Sequence, residues 1–432
     1  MKHSENEEVW RVECFRVEGG GRLKGQVRTH SAKNAVLPIM AASILTGEEV
    51  VLEGCPDISD VKHMGEILQI LGCQVTFEKG WITLKTHGLH NWEMPDRLSK
   101  QIRSSIFLLG PILARFKKAT VTYPGGCEIG LRPIDLHLQG LRALGADIRE
   151  DGGMIYCDGR QMRAADVHFD YPSVGATENV MMAAALLRGR TTIHNAAREP
   201  EIADLERFMN DCGAQVVGAG SHTIVVEGVS KLHGTSYRPM ADRIVAGTLL
   251  AAAAITGGEI LLENAPCQEM VAITSKLKEM GCRIHEEAKR IALWAPERLK
   301  AFTQLQTQPH PGFPTDMQVQ MLALAATAKG TSVIAENVFE NRFTHAGDLN
   351  RMGANILVNG RTAIVQGVEN LRGHRVVARD LRGGAALVLA GLRAQGTTWV
   401  DHAALIDRGY DHLENMLGQL GAAVRREDQM PQ

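Results

Sequence analysis

A sixfold internal repeat constrains this chain more than any other feature of its sequence. A short phrase recurs in which an amphipathic helix ends at a glycine, a small residue follows, and a β-branched residue opens a strand. It reads Leu-Gly-Cys-Gln-Val around Gly72, Leu-Gly-Ala-Asp-Ile around Gly145 and Cys-Gly-Ala-Gln-Val around Gly213. It returns as Met-Gly-Cys-Arg-Ile around Gly281, Met-Gly-Ala-Asn-Ile around Gly353 and Leu-Gly-Ala-Ala-Val around Gly421. The intervals are 73, 68, 68, 72 and 68 residues. A second phrase precedes each of these: a helix rich in Ala, Leu and Met, usually a glycine, then a β-rich strand. It ends at Gly47, near Lys118, and at Gly189, Gly258, Gly330 and Gly396. Each unit of about 70 residues therefore predicts helix, strand, loop, helix, strand, turn and strand. The period is too long for a common helical solenoid, and the alternation places the chain in the α/β (α+β) class.

Composition narrows the partners. The 432 residues carry 47 Lys+Arg against 49 Asp+Glu, so no net positive field recommends a nucleic acid or an anionic membrane. The longest run of small apolar residues, Ile244 to Thr256, is well short of the roughly 20 that a membrane helix needs. Four Glu among the first fifteen residues, with no apolar core, do not make a secretory signal. A cytoplasmic globular protein is expected.

The eight cysteines include no Cys-x-x-Cys pair, and the His residues show no metal-ligand spacing, so neither a disulfide framework nor a zinc site is expected. Cys73 and Cys282 occupy the slot where other units have Ala, which marks them as structural. Cys127 differs. It lies between Gly126 and Glu128, with glycines at 125, 126 and 130, and Arg132 is near enough in sequence to lower a thiol pKa.

The starts of the first helices collect polar residues. Lys33, Arg103, Ser173, Arg243, Asp316 and Arg382 mark them, at intervals of 70, 70, 70, 73 and 66. Helix N-termini present free N–H groups and attract anions, and cations there oppose the helix dipole. Lys and Arg at several such starts therefore point to an anionic ligand, whereas Ser and Asp are also ordinary N-caps. Loops between strand and second helix add Arg198, Glu199 and Glu201, then Glu340 and Arg342, then Asp407 and Arg408. These neighbours either share a cleft or form surface ion pairs of little consequence. No Walker A, G-x-G-x-x-G or G-x-S-x-G pattern is present.

Several segments carry a resemblance. They are Ser31–Pro38, Pro124–His137, Pro172–Asn179, Asn195–Ile202, Phe313–Gln318, Phe339–Phe343, Asp380–Ala386 and Ile406–Tyr410. In this order, and over nearly the whole chain, they resemble the UDP-N-acetylglucosamine enolpyruvyl transferase family. The resemblance implies an inside-out α/β barrel of two domains with three repeats each. Its domains are expected at 33–240, carrying the Cys127 loop, and at 1–32 plus 241–432, which is discontinuous. It implies transfer of the enolpyruvyl group of phosphoenolpyruvate to the 3-hydroxyl of UDP-N-acetylglucosamine, releasing phosphate, at the first committed step of peptidoglycan synthesis. No metal or organic cofactor is implied, nor any nucleic-acid or membrane partner.

By the same resemblance Cys127, Asp316, Lys33 and Arg408 are catalytic, with Asp316 the base near the sugar hydroxyl and Cys127 the thiol that fosfomycin alkylates. Phosphoenolpyruvate is expected on Lys33, Asn34, Arg103, Arg132, Arg382 and Arg408. The UDP-sugar is expected on Asn34, Arg103 and the run Arg132, Pro133, Ile134, Asp135, Leu136, His137. It also meets Ser173, Val174, Gly175, Asp316 and Val338. The chain departs from the family pattern at Ser31, often Gly, at Val245, often Glu, and at Leu405, often His. These departures keep open a silent UDP-sugar-binding paralogue with a regulatory role. A 5-enolpyruvylshikimate-3-phosphate synthase is disfavoured by the cysteine loop.

Overall fold

The six predicted units fold as six small sheets, each with its helices packed on one face. The computed structural model describes residues 12–125 and 133–429. In the first unit the Lys33–Ser43 helix leads into strand Glu49–Glu53. That strand pairs antiparallel with Trp81–Lys85, which pairs in turn with Gln74–Glu78. The predicted order holds through the first five units, whereas in the sixth the last strand of the sheet is supplied by Val12–Glu18 from the start of the chain, and one addition recurs. A short strand precedes most inner helices; in three units it pairs parallel with the strand that follows, as Asp166–His168 does with Gly189–His194, whereas Lys24–Arg28 and Ser236–Tyr237 exchange partners and pair with Glu259–Glu263 and Glu49–Glu53. These strands are only two to five residues long, too short for a periodic signal. The strands form six separate open sheets among the described residues, so the inside-out α/β fold is not one closed sheet.

The inner helices explain the Ala-rich phrases. Every residue of Arg243–Thr256 and of Gln318–Thr327 is buried, and only Asn34 of Lys33–Ser43 is not. A helix apolar on all sides belongs at the centre, with sheets outside it. Those sheets alternate buried and less buried residues along each strand, as in Glu259–Glu263 and Thr397–Asp401. The glycine of the recurring phrase has a conformational reason. Gly72, Gly145, Gly213, Gly281, Gly353 and Gly421 all have φ between +86° and +108°, a region that L side chains avoid. Cys73 and Cys282 beside two of them are buried, and burial pushes both thiols up to about 12.

Two hydrophobic cores result. One is built from residues 32–232, the other from residues 15–27 together with 244–424. The N-terminal strand Val12–Glu18 inserts between Thr397–Asp401 and Ala423–Gln429, and Lys24–Arg28 pairs with Glu259–Glu263. Sequence periodicity alone does not assign those strands.

The chain crosses between cores twice, and the crossings run side by side. Ala32 N donates to Met240 O at 2.7 Å and Asp242 N to His30 O at 2.9 Å. Asp242 then serves two helices at once. Its Oδ1 caps Ile244 N and Val245 N, while its Oδ2 accepts from Lys33 N at 3.3 Å. This shared cap brings the heads of the Lys33 and Arg243 helices together.

Candidate active site

All six markers read from the repeat meet in one place. Lys33, Arg103, Ser173, Arg243, Asp316 and Arg382 line a single cleft of about 480 Å³ between the two cores. Equivalent positions in a repeat fold point the same way, and here they converge. Asn34, Pro133, Asp135, Leu136, His137, Val174, Gly175, Val338 and Arg408 line it as well. Ile134 does not; it is 4% exposed and packs into the core beneath. Cys127 and Arg132 lie outside the described residues.

Three polar groups at these helix starts are caps. Ser173 Oγ accepts from Ala176 N at 3.4 Å, and Asp380 Oδ1 from Arg382 N and Gly383 N at 3.0 and 2.9 Å. Asp242 is the third. Asp316 is not a cap. It sits in the one-turn 3-10 helix Thr315–Met317, and its carboxylate lies between two guanidinium groups. Arg342 Nη2 is 3.0 Å from Oδ1, and Arg382 Nε is 3.2 Å from Oδ2. Both arginine side chains are almost wholly buried, while Asp316 keeps 28% of its side chain exposed to the cleft. Burial works against the charge on Arg382, but Tyr410, Asp316 and Asp242 outweigh it and raise its pKa.

A second charged cluster faces this one. Lys33 Nζ lies 2.6 Å from Asp60 Oδ2, and Arg408 Nε lies 2.9 Å from Asp60 Oδ1. Burial lowers the pKa of Lys33, opposed by Asp60 and reinforced by Arg382 and Arg408. Burial alone pulls Asp60 upward; Lys33 and Arg408 outweigh it and hold the carboxyl below its usual range. Lys33, Arg408 and Arg382 thus surround a small volume, with Asp60 and Asp316 paired to them, a place suited to a phosphate and a carboxylate.

The wall near Ser173 is built for close approach. A Cβ on Gly175 would fall 2.8 Å from His137 Cε1 and 3.0 Å from Phe107 Cε1, so only glycine fits. Asn179 fixes the imidazole: its Nδ2 is 2.7 Å from His137 Nδ1, and its Oδ1 accepts from Gly110 N at 2.7 Å. Beyond it lies an acidic pocket floor. Glu201 holds Arg243 through two contacts of 2.9 and 3.2 Å, and Glu199 Oε1 accepts from His310 N at 3.2 Å. Glu178 is fully buried, and neither of its oxygens has a hydrogen-bond partner among the described residues. Burial, with Glu201 and Glu199 nearby, raises its pKa well above the usual carboxyl value.

The loop pairs divide between the two sequence expectations. Arg342, Glu199, Glu201 and Arg408 belong to the cleft. Glu340 pairs with Arg361 at the surface, and Asp407 pairs with Arg426. Asp60, Glu178, Phe107, Tyr171, His310 and Phe339 are cleft residues that the sequence reading did not select. Asp60 had a signal: it follows the first strand of unit one, at the place where unit six has Asp407 and Arg408. Among the described residues no cluster of His, Cys, Asp or Glu is arranged to hold a metal, and no helix is long and apolar enough to cross a membrane.

Comparison with known proteins follows this geometry. Solved structures share the fold: the enolpyruvyl transferase NikO from Streptomyces tendae superposes with TM-score 0.88 at 24% identity, over 97% of this chain and 100% of that one. EPSP synthase from Acinetobacter baumannii gives 0.73 at 19% identity, over 96% and 100%. The chain therefore has the inside-out α/β fold of these two structures. The family profile described as EPSP synthase (3-phosphoshikimate 1-carboxyvinyltransferase) matches residues 17–417. UDP-N-acetylglucosamine 1-carboxyvinyltransferase 2 of Caldanaerobacter subterraneus subsp. tengcongensis is 50% identical over 95% of this chain and 99% of its own. UDP-N-acetylglucosamine 1-carboxyvinyltransferase 1 of Symbiobacterium thermophilum is 52% identical over 96% and 95%. The chain belongs to the UDP-N-acetylglucosamine 1-carboxyvinyltransferase family.

Proposed function

We propose that the chain transfers the enolpyruvyl group of phosphoenolpyruvate to the 3-hydroxyl of UDP-N-acetylglucosamine with release of phosphate. The observation that carries this reading is the cleft-facing carboxylate of Asp316, held by Arg342 and Arg382 opposite the cationic pair Lys33 and Arg408. The chemistry needs a base at one face and anion binders at the other.

Asp316 accepts the proton of the 3-hydroxyl as that oxygen bonds to C2 of phosphoenolpyruvate, and C3 takes up a proton. The resulting tetrahedral ketal still carries its phosphate. C3 then gives up a proton, the bond from C2 to the phosphate oxygen breaks, and the vinyl ether and inorganic phosphate remain. Lys33, Arg408 and Arg382 stabilise the phosphate and carboxylate throughout, with Asn34 and Arg103 beside them. Cys127, by family resemblance, is the proton donor to C3 and the fosfomycin target, and Arg132 comes in with the same loop. The wall formed by Pro133, Asp135, Leu136, His137, Ser173, Val174 and Gly175 takes the nucleotide, and Val338 the sugar.

The division into domains 33–240 and 1–32 plus 241–432 belongs to this proposal, and the two separate cores support it. So do action in the cytoplasm and a role in cell-wall synthesis and hence in cell shape and division. The test is phosphate release from phosphoenolpyruvate with the UDP-sugar, beside a parallel assay with shikimate 3-phosphate, each with and without fosfomycin. Release that requires the UDP-sugar and is blocked by fosfomycin is expected. UDP-sugar binding by calorimetry with no release would leave a binding protein in its place.

A further inference from the structure

Outside the charged clusters, one buried carboxylate organises two cleft segments without itself lining the cleft. Glu336 is 0% exposed at the end of strand Thr331–Ala335. Its Oε1 accepts from Thr307 Oγ1 at 2.8 Å, Val338 N at 2.8 Å and Phe339 N at 3.0 Å, and its Oε2 from Thr315 Oγ1 at 2.9 Å. Burying a carboxylate is costly unless several donors satisfy it, and here four do. Those donors lie on three separate segments. Thr315 starts the turn that carries Asp316, Val338 and Phe339 start the loop that carries Arg342, and Thr307 comes from the strand region beside both. Asp316 and Arg342 then meet at 3.0 Å.

We infer that Glu336 is a positioning residue that sets Asp316 against the acceptor sugar by tying its turn to the Val338–Arg342 loop. The inference rests on the proposed reaction. Through Thr315 it acts on the base, and through Val338 it acts on the acceptor site. Lys33 and Arg408 are held by Asp60 instead, and the donor site meets this network through Arg382, 3.2 Å from Asp316, so it depends less on Glu336 than the acceptor site does. A displacement of the base by about 1 Å is enough to cost roughly 100-fold in rate.

The test compares Glu336→Ala, Glu336→Gln and Thr315→Val with wild type by steady-state kinetics, calorimetry and thermal unfolding. Glu336→Ala is expected to lower kcat by about 100-fold and raise KM for the UDP-sugar by about tenfold, with KM for phosphoenolpyruvate little changed. Glu336→Gln restores most of the rate, because the amide oxygen still accepts from the loop while its NH₂ donates to the Thr315 hydroxyl. Thr315→Val cuts only the link to Asp316, so kcat falls by about tenfold and KM for the UDP-sugar holds. Loss of folded protein in proportion to activity, with kcat per folded molecule unchanged, overturns the inference. So does an equal rise in both KM values. An inactive wild type refutes the reaction instead. Calorimetry then decides the positioning claim, since Glu336→Ala must still weaken UDP-sugar binding while Thr315→Val must not.

Discussion

Arg408 reaches across the cleft to Asp60, its Nε 2.9 Å from Oδ1, although the two residues stand 348 positions apart in the chain. The same carboxylate holds Lys33 Nζ at 2.6 Å. Asp60 thus keeps two cations aimed at one spot and opposes the burial that lowers the pKa of Lys33. Replacing it with Asn removes that opposition, so Lys33 gives up its proton at lower pH than in wild type. The expected result is a loss of about 100-fold in kcat/KM for phosphoenolpyruvate at neutral pH, about 3 kcal/mol. The alkaline limb of the pH–rate profile moves to lower pH. An alkaline limb in its wild-type place would show that Asp60 does not sustain the charge on Lys33.

A second ion pair joins the cores. Glu201, in the first turn of helix Pro200–Asp211, meets Arg243, the first residue of helix Arg243–Thr256, and both side chains are more than 90% buried. Removing one partner strands the other charge without water. Glu201→Gln is therefore expected to cost about 3–5 kcal/mol in denaturant unfolding. Replacing both, Glu201→Gln with Arg243→Met, recovers part of that loss. A double substitution worse than the sum of the singles would mean that Arg243 supports the fold through other contacts.

The sequence made some of this legible and hid the rest for identifiable reasons. Lys33, Arg103, Ser173, Arg243, Asp316 and Arg382 recur at the heads of six equivalent helices, and equivalence in a repeat translates directly into convergence on one cleft. Which of them bind and which cap was not decided by residue type. Asp316 and Asp380 both open helices, yet only Asp380 caps, because Arg342 and Arg382 claim the Asp316 carboxylate. Arg382 comes from the next unit and Arg342 from beyond the helix and strand that follow Asp316, and such long-range partners leave no local pattern. Glu178 was hidden differently: it lies in an Ala- and Met-rich helix that reads only as core. Glu336 follows a strand, where an acidic residue ordinarily signals a solvated end.

Glu178 yields a stability prediction. In the unfolded chain its carboxyl ionises near the ordinary 4.5, whereas in the folded protein burial raises the pKa well above that. The folded state therefore holds the proton over a range where the unfolded state has released it, and stability falls as pH rises through that range. Gln mimics the protonated acid and does not titrate. Glu178→Gln is expected to be more stable than wild type at pH 8, by more than the roughly 0.5 kcal/mol of a neutral surface change. The difference shrinks as pH falls toward 4.5. Thermal unfolding across pH measures it, and a constant offset at every pH would mean that Glu178 is ionised in the fold.

Asp316 is the residue on which the reaction depends most directly. Its oxygens accept from Arg342 Nη2 and Arg382 Nε, so the carboxylate is oriented before any substrate arrives. Asn at this position keeps one acceptor oxygen but turns an NH₂ toward a guanidinium that also donates, and it has no basic oxygen to receive the hydroxyl proton. Asp316→Asn is expected to reduce phosphate release by at least about 1,000-fold, at or beyond the middle of the range that a general base contributes. Calorimetric affinity for the UDP-sugar should change by less than about threefold, since the nucleotide wall around His137, Ser173 and Gly175 is untouched, and less than 1 kcal/mol separates such affinities. If the variant instead loses UDP-sugar binding while its residual complex turns over at the wild-type rate, Asp316 holds the acceptor and another group takes the proton.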